Sequence, residues 1–315
     1  MTLHHFRRHL LAWFDENKRD LPWRDSRDPY RVWLSEIMLQ QTRVAAVIDY
    51  YGRFLRRFPT LHHLARARES SVLAAWSGLG YYRRARMLHA AAKKMVAEND
   101  ETLPTSAREL QQFPGIGRYT ATAIASIAFG EPVAVVDGNV ERVLQRVTGK
   151  KLAPEAVWKS AETMLDPSRP GDFNQAMMEL GALVCLPRRP KCSSCPLYDF
   201  CATRGEHPRS RPAARQQKRT ICYSLNLKGR RVQLLQRPSD ASLMSAMWEL
   251  PAISHANGDT PFLKLRHSIT NTDYTVKVLK EARVDANARW VDRRQIPRLP
   301  LTGLARKILR AAKII

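Results

Sequence analysis

The chain has 315 residues, 44% of them hydrophobic, and carries 52 Lys and Arg against 29 Asp and Glu, a formal charge of +23. That length predicts two domains joined by a linker; no apolar run is long enough to span a bilayer, and the residues from Met1 to Arg8 lack the apolar stretch and cleavage site of a secretory signal, so a soluble, cytoplasmic protein is expected. A field of this sign attracts polyanions, nucleic acid first among them, the other uses of such charge being solubility or attraction to an anionic membrane. The excess is spread over the chain, 35 basic to 22 acidic residues through Arg219 and 17 to 7 beyond it, so both domains are expected to face one phosphate backbone.

From Phe6 to about Thr203 the apolar residues recur at helical spacing, as in Val44, Val47, Ile48, Tyr51, Phe54, Leu55 and Phe58. Breaks at Pro22, Pro29, Pro59, Gly78, Gly80, Pro104, Pro114 and Pro132 cut this stretch into many helices. Within the segment from Val32 to Gln41, Trp33 and Leu39 share the helical face of Glu36. A carboxyl against that apolar wall has its charged form disfavoured and can hold a proton near neutral pH, whereas on an open face it is an ordinary surface glutamate.

Farther on, Pro114-Gly115-Ile116-Gly117 stands between two helical stretches. The glycines permit a tight reversal, and the free N–H groups at the start of the next helix can receive a phosphate oxygen, which makes a helix-hairpin-helix anchor for DNA; the plainer reading is an interhelical turn with a glycine cap. Asp137 follows the apolar run Pro132 to Val136 and opens a helix, where backbone N–H groups favour its charge. A proton-bearing Glu36 and an anionic Asp137 are what departure of a nucleobase through a cationic sugar requires, by analogy with glycoside hydrolysis. Asp137 and Asn139 also suit a plain helix cap or turn.

Of five cysteines, Cys185, Cys192, Cys195 and Cys201 fall in one short segment, and Cys222 stands apart as an ordinary small residue. An odd count in an unsecreted chain argues against a disulfide framework. Four thiolates close a shell around zinc or around a cubane iron-sulfur cluster, and a single compact loop favours iron and sulfur over the paired knuckles of structural zinc. Arg188, Arg189 and Lys191 make the loop basic and suited to phosphate.

Thr203 to Arg219 is nearly free of apolar residues, with six basic side chains and two prolines, and reads as a solvated linker. Beyond it, Ile221 to Leu227, Arg231 to Gln236 and Tyr274 to Leu279 predict strands, and Leu301 to Lys313 a helical tail, so the second domain is mixed α and β.

Leu21-Pro-Trp-Arg, Ser35-Glu-Ile-Met-Leu-Gln-Gln-Thr, Gly78-Leu-Gly-Tyr-Tyr, Phe113-Pro-Gly-Ile-Gly-Arg-Tyr-Thr-Ala, Val136-Asp-Gly-Asn-Val and the run from Phe173 to Cys185 together resemble the MutY adenine DNA glycosylases of the endonuclease III superfamily, over residues from about 5 to 203. The resemblance implies a mainly α fold: a helical core at 1–203, with a six-helix module at about 22–131 and a cluster module from 1–21 and 132–203, then a linker at 204–219. It also implies a 4Fe-4S cluster on Cys185, Cys192, Cys195 and Cys201, and double-stranded DNA with adenine opposite 8-oxoguanine or guanine as substrate, met by a monomer in a bacterial cytoplasm.

Carried onto this chain, Glu36 matches the acid that protonates the departing adenine, Asp137 the carboxylate that stabilises the sugar cation, and Asn139 the residue that orients it. Tyr119 stands where strand-cutting relatives have a Schiff-base lysine, which implies a single-function glycosylase leaving an abasic site. Trp23, Arg24 and Leu39 resemble the adenine-pocket lining, and Gln41 and Tyr81 the residues that wedge into the duplex; without the resemblance, Trp23, Leu39 and Tyr81 are ordinary core or turn residues.

Residues 220–315 are similar to the family's Nudix-like, α+β lesion-reading domain, through Leu234-Leu-Gln-Arg-Pro and Met247-Trp-Glu-Leu-Pro, without a Glu-rich Nudix box. Where the family has His-x-Phe-Ser-His, this chain reads His267-Ser-Ile269-Thr270-Asn271, in which Thr270 keeps one hydroxyl for the oxidised base. The rival readings are a thymine glycosylase acting on T:G mismatches with the same core, and a cluster-bearing DNA-damage binder without catalysis.

Overall fold

Closely spaced proline and glycine stop signals divide the N-terminal stretch into short helices, as the sequence leads one to expect. In order these are α1 (Leu3–Asn17), α2 (Pro29–Leu39), α3 (Val44–Arg57), α4 (Leu61–Arg66), α5 (Glu69–Trp76), α6 (Tyr82–Glu98), α7 (Ala107–Leu110), α8 (Arg118–Ala128), α9 (Gly138–Thr148), α10 (Pro154–Met164) and α11 (Pro170–Leu183). The computed structural model describes residues 2–98, 102–205, 217–254, 260–269, 272–280, 282, 284 and 287–315. They divide into two units, one of Met1–Gly52, Thr60–Ala65 and Ala90–Ser210, the other of Arg53–Pro59, Arg66–His89 and Arg211–Ile315.

In the first unit, α9 places Val140, Val143, Leu144 and Val147 one helical turn apart, and this stripe meets Leu10 and Phe14 of α1 and Phe173, Met177 and Leu180 of α11 in one apolar core. Gly149 ends α9 in the left-handed conformation, φ 66°, with the Gly149 and Lys150 amides closing on Arg146 and Gln145 carbonyls. Asn174, 2% exposed, pins the extended segment before α9: its Oδ1 accepts from Val135 N at 3.1 Å, and its Nδ2 donates to Val133 O and Ser126 Oγ, both at 2.9 Å. That segment delivers Asp137 to the head of α9.

The second unit contains the mixed sheets of the C-terminal region. One has the order β5 (Ala252–Ile253), β1 (Gln217–Leu225), β7 (Thr272–Lys280) and β6 (Leu263–Ile269), with β1 and β7 parallel from Gln217↔Thr272 to Leu225↔Lys280 and β6 antiparallel to β7. The other pairs β3 (Arg231–Gln236) with β2 (Leu227–Lys228), β4 (Trp248–Glu249) and β8 (Arg289–Asp292). Leu304, Ile308 and Leu309 of α12 (Gly303–Ala311) complete a core with Val232, Leu234, Val276 and Val278.

Three boundaries differ from the sequence reading. The expected strand from Ile221 to Leu227 breaks after Leu225, because Asn226 turns its side chain to the Gln233 amide and the Ala282 carbonyl, each at 2.9 Å. β1 begins at Gln217, inside the expected linker, where pairing with β7 supplies its polar residues with backbone partners. The helical tail starts at Gly303, since the Thr302 hydroxyl caps it by accepting from Ala305 N at 3.2 Å. Leu301 itself lies beside Trp248, and its carbonyl accepts from the Ser77 hydroxyl at 2.6 Å and the Tyr82 hydroxyl at 3.0 Å.

Candidate active site and cysteine loop

Asp28 opens α2 by accepting from Arg31 N at 3.0 Å, with Pro29 in the first turn. The helix buries Trp33, Leu34 and Ile37, and Glu36 is carried into the same interior, 6% exposed. Burial pushes the Glu36 carboxyl up to about 7; a hydrogen bond from Tyr119 opposes the rise, Asp137 adds to it, and Arg24 opposes it. The second residue of α8, Tyr119, donates its hydroxyl to Glu36 Oε2 at 2.6 Å. Burial and the adjacent carboxyl push the Tyr119 phenol well above its ordinary value, so it remains the donor of this pair.

Asp137 is the N-cap of α9. Its Oδ1 accepts from Asn139 N at 2.8 Å and Val140 N at 2.7 Å, while Oδ2 accepts from Asn139 Nδ2 at 2.8 Å. Three N–H donors and a helix N-terminus complement a carboxylate. The cap and the catalytic readings of Asp137 are therefore one geometry, in which capping holds the anion still. Asn139 is fixed in turn: its Oδ1 accepts from Arg142 Nη2 at 2.8 Å, and Arg142 also donates to Gly138 O at 3.1 Å, Gly181 O at 2.7 Å and Cys185 O at 2.8 Å.

Glu36, Tyr119, Asp137 and Asn139 line one open cavity of about 710 Å³ together with Trp23, Arg24, Leu39, Gln41, Gly115 and Gly117. Trp23 is nearly buried and meets Tyr51 edge-on, ring centres 5.5 Å apart. Gln41 is exposed with φ 55°. Gly115 needs its φ of 77° for the hairpin reversal, and Gly117 is the N-cap of α8. Tyr81 belongs to the second unit, where it is 52% exposed, left-handed at φ 49° and 5.2 Å from the Arg84 guanidinium. Thr270 and Asn271 lie outside the described residues.

Sequence reasoning missed four residues. Arg19, Gln175 and Glu179 also line the cavity, and Arg142 braces Asn139. Gln175 and Glu179 stand one helical turn apart within the run from Phe173 to Cys185, a spacing that marks one shared face; no pattern in the sequence pairs them with Arg19 and Arg24.

The four cysteines line a small separate cavity with Arg146, and each is half-buried. Among the described residues no three His, Cys, Asp or Glu gather closely enough to hold a single metal ion. Four thiols lining one small cavity fit a 4Fe-4S cluster. Arg146 is 4% exposed, donates through Nη1 to Cys185 Sγ at 3.3 Å and Leu186 O at 2.7 Å, and keeps a buried Nε without a partner. A buried cation with a spare N–H beside four thiolates fits an anionic 4Fe-4S group, and Cys185, Cys192, Cys195 and Cys201 would hold it. Arg188, Arg189 and Lys191 are exposed on the same loop.

Residues 34–166 match the HhH-GPD superfamily of base excision DNA repair proteins, and residues 185–201 match the iron-sulfur binding domain of endonuclease III. The chain belongs to this superfamily, with the helical core and 4Fe-4S loop that define it. Within it, the sequence groups with the adenine DNA glycosylases of the MutY type. It is 53% identical to the adenine DNA glycosylase of Rattus norvegicus over 211 residues, which is 62% of this chain and 41% of that one. It is 41% identical to that of Arabidopsis thaliana over 295 residues, 78% of this chain and 46% of the other. The chain thus spans less than half the length of these two relatives. A solved thermostable thymine-DNA glycosylase superposes with a TM-score of 0.61 at 29% identity, covering 64% of this chain and 96% of that one.

Proposed function

We propose that this chain is a monofunctional DNA glycosylase that removes adenine mispaired with 8-oxoguanine or guanine from double-stranded DNA and leaves an abasic site. The observation that carries the reading is a buried carboxyl with its midpoint at about 7, Glu36, sharing one cavity with a carboxylate fixed by three N–H groups, Asp137. A protonated Glu36 gives its proton to a ring nitrogen of the flipped adenine, so the base departs neutral as the bond between C1′ and N9 breaks. Asp137 faces the resulting sugar cation, and water adds at C1′ and loses a proton. Tyr119 offers a phenol where a Schiff base would need an amine, so strand cleavage does not follow.

The remaining parts of the reading rest on charge and on resemblance. The net charge of +23, the exposed basic cluster loop and the hairpin at Gly115 and Gly117 support a duplex DNA partner. When bound, the cluster ties the Cys185 to Cys201 loop into one rigid piece. The protein acts as a monomer in the bacterial cytoplasm, on nucleoid DNA, with residues 220–315 reading the oxidised guanine through the segment that includes Thr270.

A second reading, release of thymine from T:G mismatches, is favoured by the likeness to a thymine-DNA glycosylase. Single-turnover base release from duplexes carrying A opposite 8-oxoguanine, A opposite G and T opposite G separates the two. Adenine release supports the proposal, thymine release transfers the chain to the second reading, and binding without release from any duplex marks a non-catalytic damage binder.

A further inference from the structure

Glu179 of α11 is 2% exposed and accepts five hydrogen bonds. Arg19 donates from its backbone N at 2.9 Å, from Nε at 2.8 Å and from Nη2 at 2.7 Å; Arg24 donates from Nη1 and Nη2, both at 3.1 Å. Arg24 is held further by its Nη1 on the Arg19 carbonyl at 2.9 Å and its Nε on Gln175 Oε1 at 3.2 Å. Because a guanidinium only donates, the Gln175 oxygen must face Arg24. One buried carboxylate therefore fixes two cations and, through one of them, an amide of the base pocket.

The same arrangement bears on Glu36. The charged and titratable groups that act on it are Tyr119 from α8, Asp137 from the head of α9, and Arg24 from the segment before α2. Of these, only Arg24 is a cation, and it reaches the cavity already paired with an anion. We propose that Glu179 is a positioning residue for the proton donor: by clamping Arg24 and Arg19 it leaves Glu36 facing a guanidinium whose charge is partly offset, in place of a free one. This rests on the glycosylase reading only in giving the Glu36 proton a use. Burial pushes Glu179 up, and the hydrogen bonds from Arg19 and Arg24 overcome it and bring its carboxyl down to about 2, so the clamp stays charged throughout the working range.

The test is a 13C carboxyl NMR titration of Glu36 in the DNA-free, cluster-loaded full chain, the signal being assigned by its loss in Glu36→Gln. Glu179→Gln should lower the Glu36 midpoint by about one unit, because an unpaired cation favours the anion. Arg24→Gln, which removes the cation itself, should raise it, and it supplies the sign of the effect if Glu179→Gln does not fold. A midpoint unmoved in both variants overturns the proposal.

Single-turnover adenine release from pH 5 to 9 gives a second readout, in which the alkaline limb should move down in Glu179→Gln. An equal loss of rate at every pH is what a merely structural Glu179 would produce, and it too overturns the proposal. A shifted midpoint in a chain whose wild type releases no base would defeat the glycosylase reading while leaving the positioning role intact.

Discussion

Tyr119 and Glu36 share a 2.6 Å hydrogen bond in which the phenol is the donor. The contact favours the ionised carboxylate, so it works against the burial that keeps Glu36 protonated. Tyr119→Phe should therefore raise the Glu36 midpoint above about 7 and extend base release to higher pH. The alkaline limb of a single-turnover profile checks this, and a limb that moves down contradicts it.

The raised midpoint of Glu36 also bears on stability. Its midpoint is about 7 in the folded chain against 4.5 for an ordinary glutamate, so the folded state holds the extra proton between these values. Its contribution is fully present below pH 4.5 and is lost as pH rises through about 7. Glu36→Gln should leave stability at pH 4.5 little changed and gain up to about 3 kcal/mol at pH 8, while abolishing base release. Denaturant melts at the two pH values measure the difference.

Replacing Asp137 by Asn keeps an oxygen for the Asn139 and Val140 amides but removes the charge that the proposed mechanism sets against the sugar cation. Base release should fall by at least about 100-fold, with duplex affinity changed only a few-fold. Paired kinetic and binding assays decide the matter, and a parallel loss of both would show that Asp137 serves only to hold the helix.

Arg142 donates at once to Asn139 Oδ1 and to the Cys185 carbonyl, so it braces the orienter of Asp137 against the cysteine loop. Arg142→Ala should slow base release by about 10- to 100-fold, the size expected for loss of a group that orients a reacting one. The broad visible absorbance of the cluster is read in the same sample, and full activity would rule out the brace.

Gly181 sits where α11 meets α9. A Cβ there would come within 2.6 Å of the Asn139 Cβ and 3.1 Å of its Cα and carbonyl oxygen. Gly181→Ala should push the helices apart at a cost of about 1–3 kcal/mol and displace Asn139 from Asp137. The expected outcome is a lower Tm together with slower base release.

The residues of the candidate site and of the cysteine loop were legible because their chemistry coincides with local signals: an acid on an apolar helical face, a carboxylate before a helix, four cysteines in one loop. The helices were legible from their period and their breaks. Arg19, Gln175 and Glu179 were not, because they act through partners far along the chain, Arg19 and Glu179 being 160 residues apart; Arg142 was not, because its short link to Asn139 gains a role only once its guanidinium also reaches the Cys185 carbonyl, 43 residues on. Strand β6, Leu-Lys-Leu-Arg-His-Ser-Ile, was passed over for a different reason: its apolar and polar residues alternate only from Leu263 to Arg266, and pairing with β7 extends the strand to Ile269. The end of β1 was set by the side chain of Asn226 rather than by propensity.

The Ser77 and Tyr82 hydroxyls both close on the Leu301 carbonyl, at sequence separations of 224 and 219 residues. At the usual pace of translation Leu301 is added roughly 10–45 s after Ser77. During that interval two hydroxyls that end up buried must be satisfied by water, and the second unit cannot reach its final form from either end of the chain alone. Nascent chains stalled at successive lengths should therefore protect residues 66–89 from proteolysis only after the last hundred residues have left the ribosome.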